Sequence, residues 1–351
     1  KNRHFSEETL EGVKIIRVFT YADHSLSSFK RTLNYFIFAF FAAIAVIKYG
    51  KRESFYYTLQ SSPFVVFCAW SVKLFKPKSK ILLDIQDIFP ENIRVSGFIK
   101  SRWIIDFIDY ILNRFYYSAF DLFVTVSESF RTMLSNKKIS SDRILTLYNW
   151  SMIEKKSNEA FCNYRFDNQG FNIVYAGNIG VHQGLSKLVD GMNAITAKNS
   201  DIYFHFFGDG TDFEALKNKS AENKNIVLHG RVASSEIADF LEAADALFLH
   251  LIKDPIYECI IPSKLQAYIE VGKPILAGIE GEARLFVTDQ DLGEVFQSEN
   301  NTEFQSAALK LAAISADKVR EIRERSINLY SQKFSRSAGA EKVHQFITKN
   351  F

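Results

Sequence analysis

Three cysteines stand in 351 residues, Cys68, Cys162 and Cys259, each far from the others. They form no CxxC pair and no even framework, which excludes a disulfide-stapled scaffold and reads as free thiols of a reducing compartment. No Cys/His cluster has metal-ligand spacing. Low-complexity tracts, heptad arrays and repeats of solenoid period are absent, which excludes long coiled coils and repeat arrays. Neither GxGxxG nor Walker A spacing occurs, which counts against a dinucleotide or P-loop site. There is no recognition motif and no long basic stripe for nucleic acid. The apolar run from Tyr35 to Ile47 is shorter than the about 20 residues that span a bilayer unaided.

What is present is enough chain for two domains. The charge is uneven. Residues 1–150 carry 21 Lys and Arg against 13 Asp and Glu, a net of +8, and residues 151–351 carry 22 against 27, a net of −5, giving +3 in all. The basic half holds the apolar run, flanked by Lys48, Lys51 and Arg52, with Lys73, Lys76, Lys78 and Lys80 nearby. The run reads as a buried helix or as one lying on a membrane, where basic clusters attract anionic headgroups.

Short apolar or β-branched runs alternate with helical stretches, which argues for βα units around parallel sheets. Strands are expected at 13–18, 55–59, 81–85, 122–126 and 144–147, then at 172–176, 203–207, 226–228, 246–249, 274–277 and 294–296. The expected division is residues 1–150, a linker over 151–170, a second domain over 171–334 and a last helix over 335–351. Ligands of such folds sit at the carboxyl ends of strands.

Four motifs stand there. "YAGNIGVHQGL" has Gly177, Gly180 and Gly184 after a strand, where glycines admit a phosphate and a following helix N-terminus supplies N–H donors. "FFGDG" brings Gly208, Asp209 and Gly210, either a binding turn or a tight turn whose Asp209 caps the next helix. "YECIIPSKLQAYIEVGKPIL" starts a helix at Pro262 and Ser263 and puts Lys264 in its first turn, against the helix dipole. A residue set against its local preference points to an anionic ligand. Glu258 precedes that helix in a loop. "DIQDIFPEN" crowds Asp84, Asp87 and Glu91 at a strand end, where carboxylates bind hydroxyls, accept a proton or face solvent.

In this order and spacing, with "VTVSESF", "LYNW", "NIVLHGRV", "ADALFLHL" and "GEA", the motifs resemble the retaining GT-B glycosyltransferases of family 4, or group 1. The branch they look most like builds bacterial O-antigen, capsule and exopolysaccharide. The resemblance runs from about Gly12 to the C-terminus. It implies an α/β fold of two Rossmann-like domains facing a cleft, with the last helix crossing back to the first. It implies an enzyme that moves a sugar from a nucleotide sugar, expected to be a UDP-sugar, to a lipid-linked (polyprenyl diphosphate) glycan with retention. No cofactor or divalent metal is implied, and the place is the cytoplasmic membrane's inner face, where the basic domain meets anionic lipid.

Carried over by position, Gly177, Asn178 and Gly180 would line the donor diphosphate, and Pro262, Ser263 and Lys264 would contact diphosphate or sugar. Glu258 and Gln266 match a pair of glutamates separated by seven residues, the first on the donor sugar and the second on ribose. Asp87 would lie near the reacting sugar. Lys264, Glu258 and Asp87 are the expected catalytic set, with Gly208, Asp209, Gly210 and Arg231 as further donor contacts. Three departures stand out. Asn178 and Gln183 occupy positions that are Arg and Lys in many members, and Gln266 replaces a glutamate. The chain also opens at a point some tens of residues into the family pattern, so a first βα portion is expected to be missing. A nucleotide-sugar 2-epimerase and a non-catalytic or truncated nucleotide-sugar-binding fragment are the alternatives.

Overall fold

The computed structural model describes residues 4–21, 28–87, 101–153 and 164–351. The chain forms two compact units. The first holds residues 1–126, 130–146 and 346–351, and the second holds 127–129 and 147–345.

The first unit opens with β1 (Phe5–Leu10) and β2 (Val13–Val18), followed by α1 (Ser28–Tyr49), β3 (Phe55–Leu59), α2 (Val66–Phe75), β4 (Lys80–Ile85), α3 (Arg102–Ile111), β5 (Leu122–Thr125), α4 (Glu128–Asn136) and β6 (Ile144–Thr146). Strands β3 to β6 make a parallel sheet in chain order. Its centre, Ile81 to Ile85 and Leu122 to Val124, is buried, as continuous apolar runs in parallel strands require. Strand β2 does not join this sheet, as the expectation for 13–18 had it. It pairs antiparallel with β1 in a hairpin turned at Glu11 and Gly12, both at positive φ. The last residue, Phe351, packs its ring against Phe55, 6.2 Å between centres.

Helix α1 corrects a second expectation. It runs 22 residues, and over Thr32–Tyr49 it is long and apolar enough to cross a membrane by length and composition. It is also not a core helix. Only 11% of that window is buried, and Phe29, Phe36, Phe40 and Ile47 are exposed.

The second unit carries β7 (Phe171–Ala176), α5 (Val189–Lys198), β8 (Ile202–Phe207), α6 (Phe213–Ser220), β9 (Ile226–Gly230), α7 (Ile237–Ala243), β10 (Ala246–His250), α8 (Ser263–Val271), β11 (Ile275–Gly278), α9 (Gly281–Thr288), β12 (Gly293–Phe296), α10 (Asn301–Ala312), α11 (Ala316–Leu329) and α12 (Arg336–Asn350). The sheet is parallel, in the order β12-β11-β10-β7-β8-β9. Alternate residues of each strand feed opposite faces. Val174, Leu247, Leu249 and Ile275 join one core with α8 and α9, while Ile173, Tyr175, Phe204 and Phe248 join the other with α5 and α10. Helix ends follow local chemistry: Asn300 accepts from the N–H groups of Thr302 and Glu303 at the start of α10, and Gly272, at φ 76°, ends α8. Both are preferred capping residues.

Candidate functional site

The strand order of the second unit places its site. Strands β7 and β10 are neighbours, but the chain leaves β7 toward β8 on one side and β10 toward β11 on the other. The connections diverge there and leave a crevice at the strands' carboxyl ends. The turn after β7 lies at this point, and its Gly177 sits at φ 130°. The turn after β8 packs onto it closely, backbone against backbone at its base. Gly177 N–H donates to Phe207 C=O at 2.8 Å and Ile179 N–H to Asp209 C=O at 2.9 Å. A Cβ on Gly208 would lie 1.8 Å from the Gly177 oxygen, and one on Gly210 2.5 Å from the Ile179 oxygen. The two glycine motifs therefore form one piece of structure.

That piece uses most of its own donors. Gln183 Oε1 accepts from Gly180 N–H at 3.0 Å and from Asn178 Nδ2 at 3.3 Å. Thr211 Oγ1 takes Val181 N–H at 3.3 Å. The helix that follows does not offer the N-terminal donors the sequence suggested. Buried Asp212 accepts from Ser186 N–H at 3.0 Å and from Ser186 Oγ at 2.7 Å. Asp209 does not cap α6 either; it turns onto Gly210 N–H at 2.7 Å, and Asp212 is the N-cap. Among the described residues, the N–H groups of Asn178 and His182 remain without a partner in this turn.

Lys264 supplies what the turn lacks. Pro262 is the N-cap of α8, with no side-chain cap, and Ser263 and Lys264 open the helix. The ammonium Nζ lies 3.0 Å from where a Cβ on Gly177 would be and 5.1 Å from the centre of the Tyr175 ring. Burial pushes its pKa down to about 8. No carboxylate pairs with it among the described residues. A half-buried cation without a counter-charge, at the positive end of its own helix, is unfavourable twice over. A bound anion relieves both.

The remaining candidates lie in other segments. Exposed Arg231 follows Gly230, whose carbonyl accepts Gly208 N–H at 2.7 Å. Gln266 is 2% exposed in the first turns of α8. Glu258 is exposed in the short helical turn Tyr257–Cys259. Its main chain seats Gly281 of the "GEA" segment, where a Cβ would fall 1.9 Å from the Glu258 oxygen. Asp87 belongs to the first unit, exposed in the bend after β4. Its neighbour Asp84 is buried and braced, accepting from Tyr57 O–H at 2.6 Å and Gln86 Nε2 at 2.8 Å, and burial raises its pKa. Glu91 lies outside the described residues.

Two groups escaped the sequence. His250 ends β10, fully buried, with its ring stacked on Phe296. Its Nδ1 lies 2.5 Å from Gln183 C=O, and Glu299 N–H is 3.0 Å from Nε2. A carbonyl only accepts and an amide N–H only donates, so the proton is on Nδ1 and the ring is neutral. Burial, which lowers its pKa to about 4, keeps it so. Tyr268, fully buried on α8, donates to Phe248 C=O at 3.0 Å and ties the Lys264 helix to the sheet. The one visible signal for His250 was a polar side chain closing an otherwise apolar strand.

Comparison with known proteins bears on this geometry. Residues 170–313 match the family described as "Glycosyl transferases group 1". The chain is also similar to the probable glycosyltransferase WbjE of Pseudomonas aeruginosa, 28% identical over 221 residues that cover 59% of this chain and 52% of WbjE. It thus spans about half the length of that curated relative. Among solved structures, sucrose-phosphate synthase from Thermosynechococcus elongatus superposes with a TM-score of 0.67 at 12% identity, over 99% of this chain and 86% of that one. Anabaena HepE in complex with UDP gives 0.63 at 12% identity, over 91% and 84%. At such identities the likeness concerns fold, and the fold is GT-B, with two Rossmann-like α/β units. The matched stretch contains every donor-site candidate of the second unit.

Proposed function

We propose that this protein is a glycosyltransferase that moves a sugar from a UDP-sugar to a lipid-linked (polyprenyl diphosphate) glycan, with retention and without a divalent metal. The setting is the inner face of the bacterial cytoplasmic membrane, in surface polysaccharide synthesis of the O-antigen or capsule type. The observation that carries the donor half is Lys264, a half-buried cation with no counter-charge among the described residues, held against the glycine turn at the switch point. Departure of a nucleoside diphosphate needs preorganised positive charge where the leaving group's charge develops. Lys264 supplies it, the N–H groups of Asn178 and His182 add donors, and Arg231 approaches from the next turn. Glu258 binds hydroxyls of the donor sugar, Gln266 the ribose, and Asp87 of the first unit stands near the anomeric centre. The motif order supports the retaining assignment and the polysaccharide role, and the UDP complex of HepE supports the choice of nucleotide.

Calorimetry of the chain with UDP, GDP and ADP in the presence of a chelator tests the reading. Saturable UDP binding that weakens at least tenfold in Lys264→Ala is expected. A folded sample that binds none of the three overturns the donor site.

A further inference from the structure

We propose that the second unit carries a further saccharide site, at the end of its sheet opposite the glycine turns. An open cavity of about 450 Å³ lies there, by the start of β7, the start of β10 and the end of α7. Its polar lining is Arg165, Asn168, Gln169, Asn172, Glu242 and Asp245. The length of β7, about 17 Å at about 3.3 Å per residue, separates it from the turn at Gly177. The volume is that of a small-molecule site and suits about two sugar rings.

A buried polar chain fixes the walls. Asn172, 6% exposed, is its hub. Asn172 Oδ1 accepts from Asn168 Nδ2 at 2.8 Å and lies 2.9 Å from His205 Nε2. An amide oxygen only accepts, so His205 carries its proton on Nε2. His205 Nδ1 therefore accepts from His229 Nε2 at 3.0 Å. The Asn172 main-chain N–H donates to Asp245 Oδ2 at 2.8 Å, and the Asp245 N–H donates to Asn172 C=O at 3.0 Å. Phe166 lays its ring against His205, 4.1 Å between centres. A satisfied buried network rigidifies what it holds. The groups around it are unspent. Arg165, Gln169, Glu242 and Asp245 Oδ1 have no hydrogen bond or ion pair among the described residues.

Chemistry selects the ligand. One guanidinium stands against two carboxylates, so the lining is net negative and disfavours phosphates and nucleotides. No group of three metal-ligating side chains occurs among the described residues, which disfavours a metal ion. Unspent donors and acceptors side by side match a neutral ligand whose every hydroxyl does both. A planar guanidinium, carboxylate or amide spans two neighbouring hydroxyls, and a sugar ring presents such pairs. The site holds a saccharide and does not transform it. None of the donor-site residues takes part, so this inference stands apart from the transferase reading and fails separately from it.

An array of immobilised neutral oligosaccharides, probed with the labelled chain and followed by calorimetry of those retained, tests it. At least one should bind saturably, and its affinity should fall at least tenfold in Arg165→Ala/Glu242→Ala. Both side chains lie off the buried network, and thermal unfolding checks that the variant folds. Gln169→Ala, milder at an exposed position, gives the same direction if the double variant is unstable. Added UDP should leave saccharide binding unchanged, because the glycine turns stand at the other end of the sheet. An array that retains no neutral oligosaccharide overturns the proposal. So does binding that the folded double variant keeps, or that UDP displaces, since either places the saccharide elsewhere. UDP calorimetry on the same samples reads the donor site independently.

Discussion

The Lys264 ammonium stands 5.1 Å over the ring of Tyr175, a residue whose own hydroxyl donates to the Asn178 carbonyl of the glycine turn. The ring face is the nearest favourable partner for the cation in the unliganded domain, and cation–π attraction is weaker than an ion pair that also accepts hydrogen bonds. The turn, the ring and the lysine are thus one unit with a charge still to be matched.

Lys264→Met keeps the aliphatic stem and removes the charge. UDP affinity should fall at least tenfold, while the melting temperature stays level or rises, because a desolvated cation is gone. Calorimetry and a thermal melt of the same preparation check both halves. A lower melting temperature with unchanged affinity would mean that the lysine serves packing alone.

The pH dependence has a definite sign. The folded pKa of Lys264, about 8, is depressed below its ordinary 10.5. Below pH 8 the fold bears the full cost of desolvating the charge. From pH 8 to 10.5 the folded state releases its proton first, and unliganded stability gains. An anionic ligand favours the charged form, so UDP affinity should fall as pH rises through 8. Binding at pH 8 should take up about half a proton, visible as a dependence of binding heat on buffer ionisation enthalpy.

Gly208→Ala places a methyl against the Gly177 carbonyl at an impossible 1.8 Å, whereas a Cβ on Gly230, at φ 71°, meets nothing within 4 Å. The second substitution should cost about 1–2 kcal/mol, the strain of a left-handed residue. The first should cost about 4 kcal/mol or prevent folding. Chemical denaturation of the two variants side by side separates clash from strain.

His250 bridges the glycine turn and the loop after β12, so two amide replacements divide its two bonds. His250→Asn sets an N–H near the Nδ1 position and keeps the bond to Gln183 C=O. His250→Gln sets an oxygen near Nε2 and keeps the bond from Glu299. Each should lose about 1–3 kcal/mol of stability for the buried bond forgone. UDP affinity should survive in His250→Asn within about threefold and drop further in His250→Gln, because the Gln183 bond holds the turn. Equal losses of affinity would mean that His250 only fills space.

Much of the fold was legible in the sequence because parallel strands buried on both faces leave unmistakable apolar runs, and all six expected strands of the second unit lie at the expected places. The hairpin was not, because a β-run such as 13–18 does not say which neighbour it will pair with. The exposure of α1 was not either, since an apolar helix looks the same whether covered or bare. Lys264 was readable because it violates a local rule within one helical turn. The bracing by Gln183, Asp212 and His250 depends on partners brought together from distant segments, and no local pattern encodes that.

The seating of the two glycine turns on each other has a consequence for how such a site diversifies. Their closest contact is main chain against main chain, which leaves little side chain at its base through which selection or an engineer might retune it. On the proposed donor site, novelty in what the domain accepts would enter from the rim, at positions such as Asn178, Gln183, Arg231 and Glu258. A library that randomises those four and leaves Gly177, Gly208 and Gly210 untouched would explore new donors without dismantling the floor on which all of them rest.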